Sequence, residues 1–320
     1  MAVYTYITLE EAEEFIRNYD IGSALKLTEI KQGIENTNYF LDTSTGRYVL
    51  TLFEKRVDEK DLPYFLGFSE HLSHNGISCP KPVKDKNGQF LHHLKGRPAT
   101  LITFLEGTSH DIPSVNDCLE AGSFFAKLHI AQAGFAGYRK NDLSLAGWKN
   151  IYHRLEGRAD SVHQGLDALL HQEITFQSAH MPSDLPVGQI HADLFTDNVF
   201  FKAGKISGVI DFYFSCTDML AYDLAICLNG WAFDANGCFL PDHAAALLKG
   251  YNAIRPLQEN EKQGFSILLR GAALRFLLTR TFDWINQDAD ALVTPKNPMQ
   301  YFYILKFHRE NILHDTLLAG

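Results

Sequence analysis

Residues Gln189 to Phe201 read QIHADLFTDNVFF. An apolar, strand-like run opens on His191-Ala192-Asp193 and breaks over a polar patch that ends in Asn198. A core strand has no use for one histidine, two aspartates and an asparagine so close together, because each buried polar group is costly unless paired. Downstream, NVFFK and ISGVID flank a short AGK, a strand–turn–strand pattern. With AGK as the turn, Lys202 sits opposite Ile206, and Asn198 falls opposite Ile210, beside Asp211. An amide and a carboxylate thus arrive next to the loop that carries Asp193. Three converging oxygen-bearing side chains suit a hard cation such as Mg2+, which takes one or two carboxylates and completes its shell with phosphate and water.

The order is informative as well. His191-x-Asp193, then Asn198, then Asp211 follows the kinase catalytic-loop order H-x-D-x-x-x-x-N and a later metal-binding Asp at a strand end. In that arrangement Asp193 accepts the proton of an attacking hydroxyl, Asn198 and Asp211 hold Mg2+ on the nucleotide phosphates, and His191 orients the loop. Two plainer readings compete. One is an Asx-rich turn that caps backbone groups. The other is a metallohydrolase site on His191 and Asp193, which lacks a second His/Asp cluster at a suitable spacing.

Composition narrows the class. The chain has 320 residues, 46% apolar, with a formal net charge of −9, too apolar for a disordered protein. No Lys/Arg block stands out, so a nucleic-acid backbone is not an expected partner. No apolar stretch reaches the roughly 20 residues that span a bilayer, and the N-terminus lacks the pattern of a secretory signal. Cys79, Cys118, Cys216, Cys227 and Cys238 are scattered and form no C-x-x-C. They are expected to be reduced thiols in a cytoplasmic protein.

The character of the chain changes near residue 104. Before it lie short β-rich runs, LTEIKQ, TNYFLDT and RYVLTLF, the last two joined by a hairpin signal, STG. A helix over Lys60 to Asn75 and a second hairpin pair in GQFLHHLKGRPATLITFL follow. Beyond Glu106-Gly107 the periodicity predicts helices over Ser114–Ala131, Gly157–Gln172, Met219–Asn229, Asp242–Ala253, Glu259–Trp284 and Pro298–Leu317. The expected fold is α+β and bilobal. Residues 1–104 form a small antiparallel sheet lobe for a nucleotide, and residues 105–320 a helical catalytic and substrate-binding lobe. In the first lobe KQGIENTNYFLD is the segment expected to cover phosphates, through Gly33 and Asn36 or Asn38; a simple hairpin turn is the alternative.

His191–Asn198, Ile210-Asp211-Phe212 and Tyr222-Asp223-Leu224-Ala225 together resemble the aminoglycoside phosphotransferase / choline kinase superfamily, small-molecule kinases of protein-kinase-like fold. Within it GIENTNYFL, YVLTLFEKRV, PATLITFLEG, GVIDFYFSCTDMLAYDLAICLN, RGAALRFLLTR and LVTPKNP are similar to bacterial homoserine kinases. The resemblance implies ATP and Mg2+ as cofactors, and L-homoserine phosphorylated to O-phospho-L-homoserine, a step toward threonine. It also implies a hinge near Thr103, Phe104 and Leu105 that meets adenine. Other acceptors on the same fold, choline or an aminoglycoside, and a non-catalytic kinase-like binding protein remain as alternatives.

The chain departs from the superfamily at one point. Where Val-Leu-Lys is usual on the third strand, it has Val49-Leu50-Thr51, and the partner Glu position falls near Phe65. Lys55 and Arg56, just beyond that strand, become the candidate phosphate-binding cations. For the acceptor, Arg275 and Arg280 in an otherwise apolar helix are candidates for the carboxylate; pairing with Asp223 or Asp283 is the alternative. Tyr213, Asp218 and Trp231 are candidates for the ammonium.

Overall fold

The computed structural model describes residues 4–31, 36–54, 57–287 and 295–311. The chain opens with α1 (Leu9–Ile16), started by a capping box between Thr8 and Glu11. Strands β1 (Ala24–Ile30), β2 (Thr37–Thr43) and β3 (Arg47–Leu52) follow, then α2 (Leu62–His74), β4 (His92–Leu94) and β5 (Arg97–Thr103). The five strands form one antiparallel sheet in the order β1-β2-β3-β5-β4. Alternation assigns its faces. Tyr39, Leu41, Leu50, Leu52, Ala99 and Leu101 face α1 and share a core with Ala12 and Ile16. The other face is not polar: Phe40, Val49 and Ile102 are register neighbours across β2, β3 and β5, and all three are half-buried.

The remainder is mainly helical. It contains α3 (Val115–Ala131), α4 (Leu145–Leu155) and α5 (Leu166–His180), then β6 (Val187–Ile190), β7 (Val199–Lys202), β8 (Lys205–Val209) and β9 (Cys216–Met219). Helices α6 (Leu220–Trp231), α7 (Pro241–Asn252), α8 (Glu259–Ile285) and α9 (Met299–Glu310) complete it. Strand β6 pairs with β9, and β7 with β8. The architecture is α+β, an antiparallel sheet followed by a helical portion. Its large core takes in two residues of α2, Phe68 and Leu72. Leu62 and Phe65, one to two turns earlier on α2, belong instead to a small cluster with Phe53 against which Tyr213 packs. So α2 is packed from both sides.

One expectation needs correction, and two elements had none. The helix expected over Gly157–Gln172 is a 3-10 turn at Arg158–Ser161, then a left-handed Gly165 at φ 81°, and only then α5. Helix α4 has no counterpart in the sequence reading, since only Trp148 and Leu155 of it are buried and its apolar stripe is thin. Strand β9 has none either; it is short and its polar residues carry no β pattern. The last predicted helix is seen as α9, and the part beyond Asn311 lies outside the described residues. Cys79, Cys118, Cys216 and Cys227 are buried, Cys238 is exposed, and none of the five is paired. Among the described residues no helix is long and apolar enough to cross a membrane.

One buried group makes the core sensitive to acid. His308 on α9 is 5% exposed, and its Nε2 donates to Asn229 Oδ1 at 2.7 Å. The direction follows because the Asn229 amide nitrogen itself donates to Leu269 O. Burial, helped by the charge of Arg270, lowers the imidazole from 6.5 to about 3. The unfolded chain therefore takes up a proton near pH 6.5 that the fold refuses, and stability falls as pH drops from there toward 3. His308→Gln should flatten this decline: melting temperature measured from pH 7 to 4 should fall less steeply than in wild type. Equal slopes would remove His308 as the cause.

Candidate active site

Strand β6 ends at Ile190, and the next residues are gripped from several sides. The N–H groups of His191 and Ala192 donate to the two carboxylate oxygens of Asp223, at 2.9 and 2.8 Å. Asp223 sits in the first turn of α6 and is fully buried. Burial pushes its carboxyl upward, but these bonds and that of His129 outweigh burial and hold it below the usual carboxylate range. His129 on α3 reaches Asp223 through Nε2 at 3.0 Å and Tyr251 through Nδ1 at 2.7 Å. Arg255 donates to the Tyr251 oxygen at 3.0 Å and to Glu261 at 2.9 Å. The Tyr251 O–H is then left to donate to Nδ1, which fixes the proton of His129 on Nε2, toward Asp223.

From below, Arg275 Nη1 donates to the carbonyl of Ala192 at 2.6 Å, and Trp231 Nε1 to that of Leu194 at 2.9 Å. Ala192 is held at φ 65°, a left-handed backbone that alanine rarely adopts. His191 Nε2 donates to the carbonyl of Ile210 at 2.9 Å. Burial keeps this imidazole below its ordinary value, hence neutral. The residue after Ile210 is Asp211, itself left-handed at φ 65°. Two non-glycine residues in this region, in two segments joined by the His191 to Ile210 bond, mark backbone held in place by its surroundings.

The hairpin delivers Asn198 as expected, by a different route. Its turn is the two residues Ala203 and Gly204, at φ 51° and 74°, so Lys202 pairs with Lys205 and Phe201 with Ile206. A bulge then shifts the register so that Phe200 faces Gly208, and Asn198 O receives the N–H of Ile210 at 3.0 Å. The Asn198 amide nitrogen donates to Asp193 O at 2.8 Å and to Asp193 Oδ2 at 3.1 Å. Its Oδ1 is thereby turned away from Asp193. Among the described residues no group of three or more His, Cys, Asp and Glu could hold a metal. Asn198 Oδ1 and the Asp211 carboxylate nevertheless fit a Mg2+ that draws most of its shell from phosphate and water. Gly107 lets the chain after β5 meet this hairpin, and Gly208 lets the segment after α2 do so, since a Cβ would lie 2.8 Å from Phe201 O at one and 2.4 Å from Ser78 O at the other. Thr108 and Phe201 exchange two backbone bonds there, at 3.1 and 2.9 Å.

On the sheet side the sequence candidates divide. Gly33, Lys55 and Arg56 lie outside the described residues. The Asn36 side chain is turned to the Glu54 amide, and Asn38 Oδ1 accepts from the Thr51 hydroxyl at 2.7 Å. Thr103 donates its amide to the Lys81 carbonyl, so that N–H is not available to adenine. Phe104 packs edge-on against Phe40 at 5.6 Å, and with Leu105 comes directly after β5. The half-buried Phe40, Val49 and Ile102 lie on this face and were not singled out from the sequence. The signal was there, because strands apolar on both faces are covered on both faces.

The acceptor candidates also separate. Trp231 is 1% exposed, packs edge-on against Phe125 and serves the loop through Leu194, so it is a core residue and not a ligand. Tyr213 packs edge-on to Phe53 at 5.3 Å and to Phe65 at 5.9 Å. Asp218 receives Asn141 Nδ2 at 2.6 Å and the Met219 amide, and burial raises its carboxyl. Arg275 is 2% exposed and committed to Ala192, not to Asp223 or Asp283.

Arg280, five residues on along α8, is different. It donates to Gln300 Oε1 at 2.9 Å and lies 4.4 Å over the ring of Tyr301. Burial lowers its guanidinium, while the nearby charges of Asp193 and Asp197 favour it. Among the described residues it forms no ion pair. Beside it Tyr301 is buried, and its hydroxyl finds no hydrogen-bond partner among them. Lys296 pairs with Asp197 at 3.2 Å. Sequence reading named Arg280 and missed Tyr301 and Lys296; only the segment TPKNP pointed at the latter.

This geometry has close parallels. A profile of the phosphotransferase enzyme family matches residues 26–257. The chain belongs to that family. The phosphotransferase is 51% identical over 310 residues to a homoserine kinase of Methylobacterium radiotolerans, covering 97% of each chain. It is 48% identical over 309 residues to a homoserine kinase of Agrobacterium fabrum, covering 97% of this chain and 96% of that one. Among solved structures, an amicoumacin kinase in complex with AMP-PNP and Ca2+ superposes with a TM-score of 0.70 at 15% identity, covering 97% and 96%. Choline kinase from Cryptosporidium parvum gives 0.67 at 15% identity and 95% of each chain. The fold is thus the kinase-like one expected from the sequence.

The grip of Asp223 is open to direct measurement. Hydrogen bonds to a charged group contribute about 1.5–3 kcal/mol each. Asp223→Asn should therefore speed amide exchange at His191 and Ala192 by about tenfold to a hundredfold, with β2 and β3 unchanged. Exchange that stays slow at both amides would mean the loop is held by other contacts.

Proposed function

We propose that this phosphotransferase moves the γ-phosphoryl group of ATP to the side-chain hydroxyl of L-homoserine, releasing ADP and O-phospho-L-homoserine. The observation that carries the reading is near-50% identity with homoserine kinases along almost the whole chain. The site supports it: an arginine with no ion-pair partner among the described residues lies near Asp193. A carboxylate-bearing acceptor needs such a cation, and Arg offers two parallel donors. A polycationic antibiotic or a choline head would be repelled by it.

In this reading Asp193 takes the proton of the attacking hydroxyl, and the Asn198 amide holds its Oδ2 in position. Asp211 and Asn198 Oδ1 hold Mg2+, whose chemistry is to neutralise charge on the transferred phosphoryl. His191 stays neutral and keeps Asp211 in register through Ile210. Residues 1–104 act as the nucleotide lobe and 105–320 as the catalytic lobe. Adenine lies under Phe40, Val49 and Ile102, against the hinge backbone at Phe104 and Leu105. Gly33 and its loop cover the phosphates, with Lys55 or Arg56 as the cation. Arg280 takes the homoserine carboxylate, and Tyr301 lends its hydroxyl. The reaction runs in the cytoplasm, on free ATP, with no nucleic-acid partner.

ADP release with Mg-ATP across L-homoserine, L-serine, L-threonine, choline and kanamycin tests the assignment. L-homoserine should be the preferred acceptor, and Asp193→Asn should lower kcat by about a hundredfold or more. Arg280→Met should raise KM for L-homoserine by about tenfold or more, with KM for ATP unchanged. Turnover of choline but not L-homoserine would overturn the substrate. Full activity in Asp193→Asn would overturn the mechanism.

A further inference from the structure

Strands β2 and β3 meet in three cross-strand pairs on the face that carries Phe40 and Val49. In order along the strands these are Asn38 with Thr51, Phe40 with Val49, and Asp42 with Arg47. The pairs differ in kind. The first is a hydroxyl–amide bond of 2.7 Å, the second is apolar and the third is an ion pair. On β5, Ile102 pairs with Val49 and Thr103 with Tyr48. The same register sets Phe104, the first residue past β5, abreast of Arg47. Arg47 is thus flanked by a carboxylate on one side and a phenyl ring on the other.

Its guanidinium is fixed by both. Nε and Nη2 donate to the two carboxylate oxygens of Asp42 at 2.6 and 3.1 Å, a forked grip that lysine cannot make. Cζ lies 5.5 Å from the ring centres of Phe40 and of Phe104 alike. Those two rings meet edge-on at 5.6 Å. A cation over two rings attracts both. An ion pair as exposed as this one stabilises a fold little by itself. Here it aims a cation at a residue that lies outside the strand.

We infer that Arg47 is a positioning residue for the base of the nucleotide: it grips Phe104 against Phe40, closes the end of the apolar face away from Asn38 and Thr51, and so sets the backbone of Phe104 and Leu105. The inference rests on the assignment of adenine to that face proposed above. It does not rest on Mg2+ or on the identity of the acceptor.

The test uses the full chain. Binding of adenosine, of AMP-PNP with Mg2+ and of tripolyphosphate with Mg2+ is measured by calorimetry for wild type, Arg47→Met, Arg47→Lys and Asp42→Asn. Arg47→Met should weaken adenosine and AMP-PNP by the same factor, about threefold to tenfold, the effect of losing a cation–ring contact. Tripolyphosphate affinity should not change. Arg47→Lys should lose about as much, because it cannot hold the fork, and Asp42→Asn should weaken the same two probes. In turnover the loss should fall on KM for ATP and not on kcat. A loss that extends to tripolyphosphate, adenosine binding in Arg47→Met as tight as in wild type, or full affinity in Arg47→Lys would each overturn the role. If adenosine does not displace AMP-PNP from wild type, the adenine assignment fails, and this inference with it. A failure to phosphorylate L-homoserine leaves the binding measurements intact.

Discussion

The carboxylate of Asp223 is the fixed point of the molecule. It has no access to water, and a bare charge in that place would be prohibitive. It is tolerated because two backbone amides and one imidazole converge on it. The same bonds hold Ala192 in a left-handed turn that alanine would not choose alone. Arg275 completes the clamp by seizing the carbonyl of that residue from the other side. The loop bearing Asp193 is thus defined by one negative and one positive charge, one on the N–H and the other on the carbonyl of the same residue, Ala192. The chain of contacts runs outward through His129, Tyr251 and Arg255 to Glu261, so α3, α6, the end of α7 and the start of α8 all bear on the position of the loop that carries Asp193.

That arrangement explains why buried charges in α8 differ in meaning. Arg270 is matched by Glu173 and Arg275 by a carbonyl. Among the described residues Arg280 has amide oxygens and a ring as its partners, near Asp193 and Asp197. In the proposed reading selectivity would come from the balance of charge around the acceptor, since Asp193 alone would favour a cationic substrate.

Much of this was legible in the sequence. The positions of His191, Asp193, Asn198 and Asp211 are set by local spacing, and the hairpin held them even though its turn was misplaced by one residue, because the bulge between Phe200 and Phe201 restored the register. The sheet was readable from alternation, and α8 from its long apolar run. The features that could not be read depend on contacts distant along the chain. Trp231 and Tyr213 are polar-tipped aromatics, and nothing local says whether such a side chain faces a ligand, a distant carbonyl or aromatic rings earlier in the chain. Arg275 and Arg280 look alike in a string of letters, and only the helix's turn separates one under the loop from one beside it. Tyr301 comes from another helix altogether. Helix α4 and strand β9 escaped because their burial is set by neighbours and not by their own periodicity.

Helix α2 carries a consequence for the chain as a whole. Its first turns close a small cluster with Phe53, while Phe68 and Leu72 lie in the large helical core. Asp61 at its start pairs with Arg139, and Tyr64 bonds Gln189 at 2.5 Å. A helix that precedes β5 in sequence is therefore fastened to the helical portion that follows β5. The first hundred residues are not a portable module: cut after β5, they would present bare phenyl and leucyl side chains to water and lose the partners that orient the helix. Recombination between relatives at that point would have to exchange the surface that receives α2 along with the sheet, so the end of the sheet is not a seam along which such proteins can be spliced.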